Sequence, residues 1–251
     1  MTIKIQRYGW QPDLPDKRDH LFSAVMAPPV ELPPSVSLRE KMPPVFNQGE
    51  LGSCTANASA AAFAFAHGGG PYSRLQIYYG ERVIENTIKQ DSGAQLRDAV
   101  KVLNQTGAAP EADWPYDIAK FARKPTAKVL KEAGKAKISV YNRLITRSDF
   151  RACLANSHPF IIGFSVYESF EGPDVAKTGI VSMPKPSEKM IGGHAVCVIG
   201  YDTALAKAGG GDFYEVRNSW GDQWGDAGNF WIPAAYLEDN NLADDAWTIR
   251  K

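Results

Sequence analysis

The sequence predicts an α+β fold, a helical half followed by a strand-rich half, with two lobes and a cleft between them. Three observations predict it. Helical patterns fill residues 53–155, apolar and β-branched runs broken by Gly, Pro and Asp follow Pro159, and the first 45 residues form a proline-rich arm. Helices and strands segregated in this way argue against an alternating parallel sheet.

The arm, residues 1–45, carries Pro12, Pro15, Pro28, Pro29, Pro33, Pro34, Pro43 and Pro44. Proline fixes φ and removes a donor, so the arm is expected to be extended and draped over the body. It either packs on the body as a structural strap or covers a cleft as a prosegment does. The remainder, 46–251, reads as one catalytic-sized domain, helical over about 46–145 and strand-rich over about 146–251. The run SCTANASAAAFAFAH from Ser53 is alanine-dominated and lacks a charged face, which predicts a buried helix. Ser53 stands where an N-cap belongs, and Gly68-Gly69-Gly70 ends the helix. Helices are also expected at Arg74 to Asn86, Gly93 to Gln105, Pro125 to Gly134 and Ser148 to Ala155, with a turn at Trp114 to Asp117. PFIIGFSV, HAVCVIGYD, FYEVRNSW and NFWIP read as strands.

Lys plus Arg and Asp plus Glu both total 28, so no global field recruits nucleic acid or an anionic membrane. The apolar stretches are too short to span a bilayer. Three cysteines, Cys54, Cys153 and Cys197, give no disulfide framework and show no metal-ligand spacing. No metal or cofactor is therefore expected. No signal peptide is visible at the N-terminus, which makes a cytoplasmic location the default, with non-classical export as the alternative. A monomer is expected.

Cys54 opens the buried helix, where backbone N–H groups and the macrodipole favour a thiolate. Gly49 and Gly52 precede it and let another backbone approach. Of the four histidines, His20 lies in a charged run, His67 ends the alanine-rich helix and His158 precedes a proline. His194 differs, because it follows Gly192-Gly193 and opens an apolar strand. Asn218 ends a strand, and its amide could accept from one imidazole nitrogen while Trp220 excludes water from that bond. Gln48, six residues before Cys54, could donate to an oxyanion together with the Cys54 amide. Read one at a time, each of these residues has a plain structural explanation.

Taken together, NQGELGSC, GGHAV and RNSWGDQWGDAGNFW resemble the three catalytic boxes of the papain-like cysteine peptidases (clan CA), in family order and spacing. The resemblance runs from Leu32 to about Leu242 and is strongest to the bacterial branch that includes xylellain. It implies a papain-like two-lobed fold, a helical left lobe and an antiparallel β-rich right lobe. It also implies a peptidase acting on peptide or protein substrates through a thioester. Cys54 would be nucleophile, His194 general base and acid, Asn218 orienter, and Gln48 an oxyanion donor. Gly52 and Gly93 would lie along the substrate backbone. Ala195 would lie near the subsite for the second residue before the scissile bond, and Trp220 would shield the His194–Asn218 bond. The resting pair would be thiolate and imidazolium.

Three departures stand out: Thr55 where most relatives carry tryptophan, Gly193 where papain has aspartate, and Leu51 where many secreted relatives carry a disulfide cysteine. None removes a reacting group. An acyl transferase or amidase would use the same groups, and a non-catalytic binding module would not need the full set.

Overall fold

The structure, a computed structural model, describes residues 8–26 and 31–251. Pro28, Pro29 and residues 1–7 of the arm lie outside the described residues.

Helix α1 (Cys54–His67) forms where alanine, which loses no side-chain entropy on becoming helical, dominates. It is buried from Cys54 through Ala64, as the uncharged pattern predicts. Gly68 ends it in the left-handed conformation. Ser53 holds the N-cap position without capping. Its hydroxyl meets the Tyr116 hydroxyl at 2.5 Å and accepts from Asn57 Nδ2 at 3.0 Å, a tertiary contact that displaces the local one. Helix α2 (Arg74–Ile84) is capped by Ser73, and α3 (Leu96–Gln105) begins three residues later than the sequence suggests. The cause is Gly93, whose φ of 75° belongs to a turn. Thr126 caps α4 (Ala127–Ala133), and Thr146 with Asp149 forms a capping box on α5 (Arg147–Ala155). Short helices α6 (Pro173–Thr178) and α7 (Ala234–Leu237) follow.

The sheet is antiparallel throughout. Its strands are β1 (Ser35–Ser37), β2 (Val140–Leu144), β3 (Phe160–Tyr167), β4 (Met190–Leu205), β5 (Gly211–Arg217), β6 (Asn229–Pro233) and β7 (Ala243–Arg250). The path runs β2-β7-β3-β4-β5-β6, and β1 joins β4 through Ser35 opposite Asp202 and Ser37 opposite Gly200. The proline-rich arm thus contributes a strand, and so does Val140–Leu144. Both lie before the strand-rich half the sequence suggests, because each offers a short stretch with free ladder positions to an existing edge.

Helix α1 packs on β4, which sets the N-terminus of the helix against the start of the longest strand. The pairing of β3 with β7 slips between Ile161 and Gly163, where Ile161 faces Trp247 and Gly163 faces Asp244. Two residues of β7, Asp245 and Ala246, lie there opposite Ile162 alone, and Asp245 sits at φ 60°. This is a β-bulge, a device that re-aims side chains near functional sites. Among the described residues no helix is long and apolar enough to cross a membrane.

Candidate active site

Loop 46–48 and loop 219–221 clasp each other. The Gln48 amide donates to the Ser219 carbonyl (2.9 Å), and the Gly221 amide donates to the Phe46 carbonyl (2.9 Å). The Gln48 side chain is fixed at both ends: its oxygen accepts from Ser219 Oγ (2.7 Å), and its Nε2 donates to the Leu51 carbonyl (3.0 Å). Gln48 is therefore tied to Ser219, the residue that follows Asn218.

His194 lies on β4 and is fully buried. Asn218 Oδ1 accepts from the backbone N–H of Ser219 (2.8 Å), which identifies that atom as the oxygen. The His194 Nε2 at 2.8 Å from it must then carry the proton. That leaves Nδ1 as the basic nitrogen of the neutral ring, buried and without a hydrogen-bond partner among the described residues. Trp220 stacks on the imidazole (5.0 Å, 26°), and Phe164 meets it edge-on (5.9 Å), closing the Asn218 bond from water. All three sequence expectations for this group — ring, amide and indole — meet at one point.

Cys54 is fully buried at the first turn of α1. Burial pushes its thiol up to about 11, against the amides of Ala195, Gly9 and Thr55, which favour the thiolate. Burial likewise lowers His194 to about 4, against the Asn218 bond, which raises it. With solvent excluded, burial disfavours the charged form of both groups.

The arm excludes that solvent. Tyr8 packs edge-on to His194 (5.9 Å) and Trp220 (6.4 Å), and its hydroxyl donates to Glu171. Gly9 lies against Gly52 so tightly that a Cβ on Gly9 would fall 1.9 Å from the Gly52 carbonyl oxygen. Trp10 donates its amide to the Gly193 carbonyl (3.0 Å), Ala94 donates to the Gly9 carbonyl (2.8 Å), and Gln11 donates to Ala94 (3.0 Å). The last two bonds form a parallel bridge between Trp10 and Ala94.

Gly52 and Gly93 thus lie along a bound backbone, though not as donors to it. The Gly52 amide bonds Asp91 and the Gly93 amide bonds Tyr78 Oη, so Ala94 supplies the edge bonds. A Cβ on Gly93 would fall 2.1 Å from the Gly9 carbonyl oxygen. Ala195 follows His194 on β4, opposite Gly163 on β3. Ala94, Gly163, Asp245 and the arm residues Tyr8, Gly9 and Trp10 escape sequence reasoning. For the arm, the aromatic-Gly-aromatic run Tyr8-Gly9-Trp10 in an otherwise polar segment is the one available signal.

Behind the plug, the arm is fastened by a buried charge cluster. Asp19 pairs with Arg97 (2.7 Å) and Arg143 (3.0 Å), and Asp13 accepts from Trp247 Nε1 (2.9 Å) and the Arg97 amide (3.1 Å). Cys153 and Cys197 are buried elsewhere, and burial holds both thiols up near 12. Of the remaining histidines, His20 is exposed, and His67 stacks on Phe63 at 4.0 Å.

A family model described as papain family cysteine protease matches residues 32–248. The chain belongs to the papain family of cysteine proteases. This papain-family protease is 38% identical to xylellain, a cysteine protease from Xylella fastidiosa, with a TM-score of 0.86 over 97% of this chain and 96% of that one. It is also 39% identical over 283 residues to an uncharacterized peptidase C1-like protein of Acanthamoeba polyphaga mimivirus, covering 100% of this chain and 89% of the relative. A cathepsin B-like protein of Giardia intestinalis is 26% identical over 80% of this chain. The likeness spans a bacterial enzyme and a viral protein alike.

Proposed function

We propose that this cysteine peptidase hydrolyses peptide bonds through Cys54, His194 and Asn218, with Gln48 and the Cys54 amide holding the oxyanion. The observation that carries the reading is the tautomer. Asn218 takes the proton on Nε2, which leaves the Nδ1 lone pair to accept the thiol proton. Sulfur attack on the carbonyl gives a tetrahedral oxyanion. His194 then protonates the leaving amine, a thioester remains, and water activated by His194 releases the acid.

In this reading the arm is an inhibitor, for two reasons. The Gly9 carbonyl is held at the groove edge by the Ala94 amide (2.8 Å). The arm also runs backwards. A leaving amine must sit by His194, so a substrate's C-terminal half belongs beside His194 and Trp220. There the arm places Tyr8, the N-terminal residue of the plug, while Trp10 pairs with Ala94.

The test uses an epoxide thiol inhibitor and a fluorogenic peptide panel, applied to the full chain and to a chain with the plug weakened by Trp10→Ala. Cys54 should be labelled and peptide cleaved faster in the variant, and Cys54→Ala should abolish both. Peptide cleavage at the unaltered rate by Cys54→Ala overturns the mechanism. Unchanged labelling in Trp10→Ala overturns the inhibitory role of the arm.

A further inference from the structure

The two groups that would hold the oxyanion sit on separate stretches of chain: Gln48 on loop 46–48, and the Cys54 amide at the start of α1. One hydroxyl joins these stretches, that of Tyr116 in the turn at Trp114 to Asp117. Tyr116 Oη donates its proton to the Gln48 carbonyl (2.9 Å), an atom that can only accept. Ser53 Oγ lies 2.5 Å from Tyr116 Oη, so Ser53 must be the donor of that bond. Burial raises the Tyr116 hydroxyl above its ordinary range, against the bonds from Ser53 and Asn57, so it keeps the proton that Gln48 receives.

The bonds behind Tyr116 are directional too. Arg74 Nη1 lies 3.2 Å from one side-chain atom of Asn57, and a guanidinium only donates, which identifies that atom as Oδ1. Asn57 Nδ2 therefore faces Ser53, donating to its Oγ (3.0 Å) and to its carbonyl (2.9 Å). That carbonyl lies in the same peptide plane as the Cys54 N–H, so holding one orients the other. The Arg74 guanidinium also lies 4.0 Å from the Tyr116 ring centroid. Glu111 Oε1 bridges Arg74 Nη2 (2.7 Å) to the Tyr116 amide (3.2 Å). The ring is thus held on its face and at its backbone.

We propose that Tyr116 is a positioning residue for the oxyanion hole: by bridging the Gln48 carbonyl to the Ser53 hydroxyl, it sets the spacing between the Gln48 side-chain amide and the Cys54 backbone N–H. This deepens the peptidase reading and rests on it. Both donors must come within about 3 Å of one oxygen as charge develops there. A ground-state carbonyl tolerates a looser fit, so an error in spacing falls on the transition state. Tyr116 acts through Gln48 and Ser53 and needs no contact with substrate.

The test compares two reactions of Cys54, with every variant made in the full-length Trp10→Ala chain. Cleavage of a fluorogenic peptide passes through an oxyanion. Alkylation by iodoacetamide does not, because sulfur displaces iodide at a saturated carbon. Tyr116→Phe removes the hydroxyl and keeps the ring over Arg74. Its kcat should fall about tenfold or more, short of the 10²–10³ or so lost with a whole donor, while KM and the alkylation rate stay within about twofold. Gln48→Ala should lower kcat by about 10²-fold or more. Adding Tyr116→Phe to it should cost less than about twofold further, because one remaining donor has no partner to be spaced from. Ser53→Ala cuts the bridge from its other end, and the same split is expected there should Tyr116→Phe fail to fold. An unmoved kcat, a fall in kcat matched by an equal fall in alkylation, or effects of Tyr116→Phe and Gln48→Ala that simply multiply overturns the positioning role alone. A Gln48→Ala chain that cleaves at the full rate overturns the oxyanion assignment, and the positioning role with it.

Discussion

The plug makes a quantitative prediction at Gly9. In Gly9→Ala the new methyl would sit 1.9 Å from the Gly52 carbonyl oxygen and 2.5 Å from its carbon. Gly52 cannot yield, because its amide is held by Asp91, which also accepts from Tyr78 Oη at 2.6 Å. The arm must move instead. Overpacking against backbone costs roughly 1–3 kcal/mol, while the bonds that seat the plug at Gly193 and Ala94 each contribute about 1 kcal/mol. A loss of about 3 kcal/mol raises the open population roughly 10²-fold. The thiol of Cys54, held up near 11 chiefly by burial, also returns toward its ordinary range on opening. Iodoacetamide labelling of Cys54 at pH 7, followed by intact mass, should therefore accelerate by about 10²-fold. Cys153 and Cys197 should stay unmodified as internal controls. Labelling of Cys54 in Gly9→Ala at the wild-type rate refutes the contact-based reasoning outright.

Other expectations follow from neighbouring contacts. Asn218→Ala frees the imidazole to take the wrong tautomer, and in the Trp10→Ala background kcat on a fluorogenic peptide should fall by about 10²-fold or more with KM little changed. Arg97→Ala strips one of the two guanidinium partners from Asp19, leaving Arg143, and should cost about 1–3 kcal/mol, read as a Tm lowered by roughly 2–12 °C. Glu81 is fully buried beneath the nucleophile, with Thr55 Oγ1 donating to it at 2.9 Å, and burial raises its carboxyl well above the usual range. Its contribution to stability is thus fully present below the ordinary carboxylate pKa and is lost as pH rises toward the folded value. Glu81→Gln should be more stable than wild type at pH 8 by about 1 kcal/mol or more and near-equal at pH 4, measured by urea denaturation.

The residues proposed to react were legible in the sequence because each sits at an element boundary with a local signature. Cys54 begins an alanine run, His194 follows two glycines and Asn218 precedes Trp220. Gln48 was legible only through the family box, since nothing local reveals its bonds to Ser219 and Leu51. Ala94 was hidden because the neighbouring glycine looks like the contact residue, whereas its amide turns to Tyr78. Asp245 was hidden for a different reason. Its direction depends on a one-residue slip between β3 and β7, and pairing register is a long-range property that alternation along one strand does not encode. The uncapped Ser53 shows the same limit, a local rule overridden by Tyr116 from across the fold.

The fastening of the arm at Asp13 and Asp19, only a few residues from the plug, bears on how the enzyme would be switched. Residues 8–11, once lifted, stay on a leash of a few residues and would face the groove at an effective concentration in the millimolar range. A dilute substrate competing against such a built-in rival gains little by binding well. Severing the leash would instead convert the rival into an ordinary dissociable peptide, and that single cut would set the enzyme free for good.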